Sequence, residues 1–174
     1  MVAPSLFNKL IYSRQFEYRN GGFYLMSEIP GVILPLEVFV RLIKRMSADK
    51  EEKIIYEIGY NQGVSAGKRY KGMTGHTVIE FMNFVKESAA MVGMGNIEFK
   101  RFDDKEIVIT VNPAPLPEEW IKIEGVSKKP ICNYILGIAA GCFVGYTGKK
   151  WVGKEVACKA TGKPQCEFKF ATKK

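Results

Sequence analysis

A stretch near the C-terminal end, EVACKATGKPQC at residues 155–166, contains residue types that bind metals. Cys158 and Cys166 lie four residues on either side of Gly162, so a symmetric β-hairpin would place them opposite each other, with Cβ atoms about 4.5–5.5 Å apart. This separation suits two thiolates on one tetrahedral zinc ion, whereas a disulfide needs Cβ atoms about 3.8 Å apart. The spacing favours a metal site, with a disulfide or two free thiols as the alternatives.

Cys132 is a third candidate ligand, and Cys142 is excluded from the same site. Cys132 follows Pro130 in the first turn of a predicted helix, where the positive end of the helix dipole favours a thiolate. Cys142 comes ten residues later, which turns it by about 80° and moves it about 15 Å along the helix axis. We expect Cys142 to be a small buried hydrophobic residue.

Glu155 does not fit the site on residue pattern alone. Residues 155 and 158 point to opposite faces of a regular strand, so Glu155 could reach a metal on Cys158 only through a β-bulge or a strong local twist. The pattern by itself predicts a solvated strand residue.

The bulk composition is that of a globular protein. The chain has 174 residues, of which 47% are hydrophobic and 25% charged, and it begins without a secretory signal, so we expect one domain, residues 1–174, in the cytoplasm. Thiols stay reduced in that compartment, which again favours a metal over a disulfide. The net charge of +8 is scattered and no nucleic-acid-binding motif is present, so we expect no nucleic-acid partner.

The sequence offers no catalytic arrangement of side chains. His76 is the only histidine, so a catalytic imidazole could come from one position alone. No two carboxylates stand out as an acid and base pair, because the acidic residues fall on predicted exposed faces. We therefore expect no catalytic residues.

Residue periodicity predicts strands at both ends of the chain and helices in the middle. A β-hairpin over 14–26 turns at Asn20 and Gly21, and helices follow over about 35–93. A strand pair over 96–112 leads into a proline-rich loop, and a helix at 130–146 and a hairpin at 150–171 complete the chain. This order predicts an α+β domain with a mainly antiparallel sheet packed with about four helices.

Two helical segments carry further signals. Gly59, Gly63 and Gly67 recur every four residues, although each glycine destabilises a helix by about 1 kcal/mol relative to alanine. We expect their shared face to pack closely against another element, with a ligand on that face as the alternative. Residues 131–148 are uncharged but at the lower length limit for crossing a bilayer, so we expect a buried core helix and no membrane span.

The C-terminal half resembles the 4-vinyl reductase domain family, whose pattern is a Cys that opens a Gly/Ala-rich helix, then Glu-x-x-Cys-x-x-x-Gly-x-x-x-Cys-x-Phe. The sequence has PICNYILGIAAGCF followed by EVACKATGKPQCEFKF, and YEIGYNQGVSAGK at 56–68 is similar to the family's glycine-spaced second helix. The resemblance covers most of the chain and implies a ligand-binding fold of this family. The matching positions are Cys132, Gly137, Gly141, Glu155, Cys158, Gly162, Cys166 and Phe168.

The resemblance implies a closed structural zinc site. In aromatic-sensing bacterial transcription activators with this domain, the matching residues bind zinc beside a buried pocket for an aromatic effector. For this chain it implies Zn²⁺ on Cys132, Glu155, Cys158 and Cys166. The activators also carry an ATPase and a DNA-binding module, neither of which is in this sequence, so we expect any regulatory output to pass through a protein partner or a homodimer interface.

The resemblance also implies a pocket between the third helix, the strand at 106–112 and the helix that Cys132 opens. We find no histidine and tryptophan at corresponding places to hold a phenolic hydroxyl, so we expect a ligand more apolar than a phenol. The lining residues are expected to be Phe81, Phe84, Val85, Ile109 and Val111.

These expectations favour a zinc-stabilised, non-catalytic domain that binds a small hydrophobic molecule as a sensor or carrier, as a homodimer. One alternative, suggested by the family name, is a vinyl reductase or a subunit of one in tetrapyrrole metabolism, but the chain has no dinucleotide or flavin signature. The other is a protein-assembly module, since trafficking-complex subunits share a similar fold.

Overall fold

The computed structural model describes residues 16–25, 29–31, 33–48, 51–73 and 77–173. The chain divides into two compact units, Met1–Pro35 and Leu36–Lys174, and the single domain expected over 1–174 stays a prediction. The first unit holds a three-stranded antiparallel sheet, in which the hairpin predicted at Asn20 and Gly21 is present and both turn residues have positive φ. Its strands are β1 (Phe16–Arg19), β2 (Gly22–Leu25) and β3 (Ile29–Gly31).

The second unit is a four-stranded antiparallel sheet with helices, which confirms the predicted α+β class. Its strands are β4 (Ile97–Phe102), β5 (Glu106–Val111), β6 (Trp151–Ala157) and β7 (Cys166–Thr172), in the order β4-β5-β7-β6. The described residues of this unit form five helices, α1 (Leu36–Ala48), α2 (Glu52–Met73), α3 (Val78–Met91), α4 (Pro115–Glu124) and α5 (Asn133–Thr147).

Helix α4 corrects the prediction of a proline-rich loop and of about four helices. Pro115 stands in the first turn, where the missing N–H does no harm because it would have no partner within the helix. The Glu118 carboxylate accepts a hydrogen bond from the Ala114 amide at 3.1 Å, and Pro117 and Trp120 are buried. The burial of this apolar face stabilises a helix that the prolines alone do not predict.

The core lies between one face of this sheet and helices α3 and α5. Alternate residues of β5 and β7 point inward and are buried, as a half-buried strand requires. Phe143 of α5 meets Phe170 of β7 edge to face at 5.0 Å, and Phe81 of α3 meets Phe102 of β4 at 6.2 Å. Among the described residues, no helix is long and apolar enough to cross a bilayer.

Helices α2 and α5 run parallel and touch through their backbones, which confirms that the glycine face of α2 packs against another element. A Cβ atom at Gly63 would overlap the Ile138 carbonyl oxygen and lie 2.8 Å from the Cys142 amide nitrogen. The contact is reciprocal, because three glycines of α5 face the α2 backbone in the same way. The glycines that form it are Gly59, Gly63 and Gly67 of α2 and Gly137, Gly141 and Gly145 of α5.

Candidate functional site

Four buried side chains meet where the start of α5 approaches the hairpin of β6 and β7. Cys132 is the residue before α5, Cys158 directly follows β6, and Cys166 is the first residue of β7. Glu155 lies within β6 and is only 7% exposed, so the solvated position that its pattern predicts is wrong. One sulfur or carboxylate oxygen from each residue lies within 4.8 Å of all the others.

The sulfur positions match the geometry of a tetrahedral metal. The Cys132 Sγ lies 3.8 Å from the Cys158 Sγ and 3.9 Å from the Cys166 Sγ. Two sulfurs bound to one tetrahedral zinc at about 2.3 Å would lie about 3.8 Å apart. The three thiols therefore need no rearrangement to share one ion.

A β-bulge brings Glu155 to the same side as the cysteines. Glu155 pairs with Phe168 and Ala157 pairs with Glu167, so Val156 is an extra residue between two consecutive pairs. The extra residue reverses the alternation of side chains along β6. It supplies the irregularity that Glu155 needs in order to point where Cys158 points.

The Glu155 carboxylate has an unsatisfied oxygen inside the protein. Its Oε2 accepts a hydrogen bond from the Cys132 backbone amide at 3.1 Å, whereas its Oε1 is buried without a partner. Burial, together with the neighbouring Cys158, raises the pKa of this carboxyl to about 8. A cation in the cluster would satisfy Oε1 and stabilise the charged carboxylate.

Backbone amides and neighbouring thiols favour negative charge on the cluster. Hydrogen bonds from the Cys132 and Cys166 thiols, with the Ile131 amide, hold the pKa of Cys158 well below its usual value. The same hydrogen bonds with its neighbours, and burial, raise the pKa of Cys132. The Lys159 amide donates to the Cys166 Sγ at 3.3 Å. This is the environment that stabilises metal-bound thiolates.

The connection between Cys158 and Cys166 is not the symmetric hairpin that the sequence predicts. Strand β6 ends at Ala157, and a short 3₁₀ turn over Lys159–Thr161 follows, so the strand expected to reach about 160 is too long. The Lys159 ammonium donates to the Glu118 Oε1 of α4 at 2.5 Å, and the Ser127 amide donates to the Ala160 carbonyl at 2.7 Å. The unpredicted helix α4 therefore helps to hold the loop between two ligands.

Cys142 lies apart from the cluster, as its spacing predicts. It is 6% exposed, and burial raises the pKa of its thiol to about 12. Its backbone packs against Gly67 of α2. Position 76, which holds the single histidine, lies outside the described residues.

The expected pocket residues lie in the core beside a cluster of aromatic rings. Phe81, Ile109 and Val111 are fully buried, Val85 is nearly so, and Phe84 is half-buried. The rings of this aromatic cluster come from α2, α3, β4, α5 and β7 and are Tyr70, Phe81, Phe84, Phe99, Phe102, Phe143, Tyr146 and Phe170.

The aromatic cluster contains ring pairs that sequence reasoning missed. Phe81 stacks on Tyr146 with centroids 3.8 Å apart and planes 5° apart, and Tyr70 stacks on Phe84 at 4.3 Å. Burial, followed by the nearby charge of Glu80, raises the pKa of Tyr70 above its usual value. The glycine spacing could have indicated this, since it pairs α2 with α5 and so brings Tyr70 near Tyr146.

Comparison of the sequence with known families and proteins gives two matches. The family model of the 4-vinyl reductase domain matches residues 107–172, which include all four residues of the cluster except Cys132, whose partners Glu155, Cys158 and Cys166 it spans together with Cys132 itself. An uncharacterised protein of Methanocaldococcus jannaschii is 30% identical over 118 residues, which is 67% of this chain. The chain spans 64% of the length of that relative.

Comparison with solved structures shows the same fold in three proteins of low sequence identity. The phenol-responsive sensory domain of the transcription activator PoxR, solved with phenol, superposes with a TM-score of 0.82 at 17% identity over 98% of this chain and 91% of that one. A vinyl-4-reductase family protein from Methanocaldococcus jannaschii gives 0.60 at 22% identity over 83% and 85%. A trafficking protein particle complex subunit 3 from Naegleria fowleri, covalently bound to palmitic acid, gives 0.55 at 18% over 80% and 93%. These matches confirm the resemblance of the chain to the 4-vinyl reductase domain family, whose model matches residues 107–172.

Proposed function

We propose that this protein is a zinc-stabilised, non-catalytic domain that binds a small hydrophobic molecule and acts as a sensor or carrier. The observation that carries the proposal is the closed cluster of four buried ligands next to an apolar core region lined with aromatic rings. The cluster would hold the start of α5 to β6 and β7, and the rings would line the ligand site.

The ligand set supports zinc with a structural role. Three thiolates and one carboxylate are ligands that zinc accepts, and four protein ligands leave no position for a water or a substrate. Cys132, Glu155, Cys158 and Cys166 would hold the ion, and the orphan Oε1 is the atom that gains a partner. Within the described residues, Glu155 is the only buried carboxyl group, which supports a domain without an acid and base pair.

Replacing Glu155 with glutamine should weaken zinc binding without unfolding the protein. Glutamine keeps the size and one carbonyl oxygen but removes the charge that balances the ion, so we expect the dissociation constant for zinc to rise by at least about tenfold. Competition with a chromophoric chelator measures this constant. Glu167→Gln, in the adjacent strand and outside the cluster, is the matched control and should leave it unchanged. Equal affinity for wild type and Glu155→Gln would remove Glu155 from the ligand set.

The nature of the ligand site supports an apolar aromatic guest. The rings of Phe81 and Tyr146 lie in van der Waals contact, so a ligand would have to part them and take their place in the stack. The fold is shared with a sensory domain solved with phenol, but here the expected lining is made of apolar side chains. We propose Phe81, Phe84, Val85, Ile109 and Val111 as the lining.

A thermal-shift titration tests the ligand class. Toluene should raise the melting temperature more than phenol at equal free concentration, because no described polar group of the proposed lining can repay the desolvation of a phenolic hydroxyl. Val85→Phe should abolish the toluene shift, since the larger side chain fills the space that the ligand needs. The exposed Val126→Phe is the matched control. A larger shift with phenol, or an unchanged toluene shift in Val85→Phe, would contradict the proposal.

A sensor must pass its signal on, and we propose that this protein does so in the cytoplasm as a homodimer or through a regulatory protein partner. Native mass spectrometry of the purified chain reports the number of subunits directly. A monomer at micromolar concentration would leave the separate regulatory partner as the route.

A further inference from the structure

We propose that the end of the second unit remote from the metal cluster docks on the surface of an anionic lipid bilayer. Three chain segments converge at this end, namely the turn between β4 and β5, the connection from α5 to β6, and the end of β7. The Thr172 amide donates to the Lys105 carbonyl at 3.3 Å, and the Lys173 amide donates to the Lys150 carbonyl at 3.1 Å. These bonds gather Lys105, Lys150 and Lys173 at one place, which we call the basic end.

Helices α2, α3 and α5 also reach the basic end. Gly145 of α5 lies against the backbone of Lys68 in α2, and the Tyr70 ring lies 5.7 Å from that of Phe81 near the start of α3. Lys149, next to Lys150, forms an ion pair with Asp104 in the turn between β4 and β5. The last turn of α2 therefore adds the exposed Lys68 and Lys71 to the basic end.

The lysines of the basic end are not neutralised by the protein. Within the part of the chain that the structure describes, Lys68, Lys71, Lys105, Lys150 and Lys173 form no ion pair. Many lysines elsewhere do form one, such as the pairs of Lys44 with Glu124, Lys129 with Glu52 and Lys159 with Glu118.

The acidic residues at the basic end are already engaged. Arg101 binds both Asp103, at 2.5 Å, and Glu106, at 2.8 Å. Asp104 pairs with Lys149, and the Glu80 carboxylate accepts from the Thr77 amide in the capping box that begins α3. The positive charge is therefore free to meet an external anion.

Exposed aliphatic side chains lie among these charges. Val78 and Ile79, in the first turn of α3, are 45% and 70% exposed, and Val152, at the start of β6, is 42% exposed. Aliphatic side chains surrounded by lysines fit the interface of an acidic bilayer, where the chains enter the headgroup region and the ammonium groups contact lipid phosphates. A nucleic acid would use the lysines but not the aliphatic residues, so the combination favours the bilayer.

Vesicle co-sedimentation tests the proposal without reference to zinc or to the internal ligand. Wild-type protein should bind vesicles of phosphatidylcholine with phosphatidylglycerol, bind pure phosphatidylcholine weakly, and be released by salt. A lysine near an acidic surface contributes about 1 kcal/mol, or roughly fivefold in partitioning, so a Lys105→Gln, Lys150→Gln, Lys173→Gln variant should lose about 100-fold.

The matched control carries the same change of charge at lysines remote from the basic end. Lys128, Lys154 and Lys163 are exposed and form no ion pair within the described ranges, and replacing all three with glutamine should leave binding within about fivefold of wild type. Ile79→Ser should weaken binding by roughly tenfold with no change of charge. Equal losses in the two triple variants, an unaffected Ile79→Ser, no binding at low salt, or binding to duplex DNA in place of vesicles would each overturn the proposal.

Discussion

Replacing Cys158 with alanine is expected to release the metal and to lower the free energy of unfolding by about 3–5 kcal/mol. The substitution removes the thiol on which the hydrogen bonds of the cluster converge, and it leaves Glu155 buried with fewer partners. The start of α5 would then lose its link to the β6 and β7 hairpin. Urea unfolding of zinc-loaded wild type and variant measures the difference.

Cys142→Ala is the matched control for this experiment. It also removes one buried thiol from the second unit, but Cys142 lies outside the cluster, so we expect a loss of only about 1 kcal/mol and normal zinc content. A chelator strong enough to remove zinc should destabilise wild type and Cys142→Ala and leave Cys158→Ala unaffected. Similar losses for the two variants would show that the cluster contributes packing alone.

Gly63→Ala is expected to destabilise the protein by about 3 kcal/mol or more. In an isolated helix the same change stabilises by about 1 kcal/mol, so the expected effect has the opposite sign. The reason is that the new Cβ would meet the backbone of α5 at Ile138 and Cys142, which cannot move aside as a side chain can. Thermal or urea unfolding gives the sign and the size.

Gly72→Ala tests the same chemistry on the same helix where nothing is in the way. Gly72 is exposed near the end of α2, and a Cβ there would meet no atom within 4 Å. We expect stabilisation by up to about 1 kcal/mol. If Gly63→Ala were as harmless as Gly72→Ala, the close backbone contact between α2 and α5 would not exist in solution.

Periodicity and turn chemistry predicted much of this fold because those signals are local. The hairpin at Asn20 and Gly21, the helices of the middle region and the strands that flank the turn at 103–105 all follow from residues close together in sequence. Helix α4 was missed because its prolines read as loop signals, and the burial of Trp120 that stabilises the helix comes from tertiary contacts.

The candidate site was predictable in part for the same reason. Spacing alone brought Cys158 and Cys166 together and separated Cys142 from Cys132, since turns and helices have fixed geometry. Glu155 required the resemblance to a family, because a single extra residue in β6 decides its direction and no local pattern marks Val156 as a bulge. The Phe81 and Tyr146 stack joins two helices far apart in sequence and so left no local signal.

Metal analysis by native mass spectrometry of the purified, folded chain tests the central claim most directly. We predict one zinc ion per chain in wild type and in Cys142→Ala, and none in Cys158→Ala. A folded wild-type protein without bound metal, or equal zinc content in all three proteins, would contradict the assignment of Cys132, Glu155, Cys158 and Cys166 as a closed zinc site.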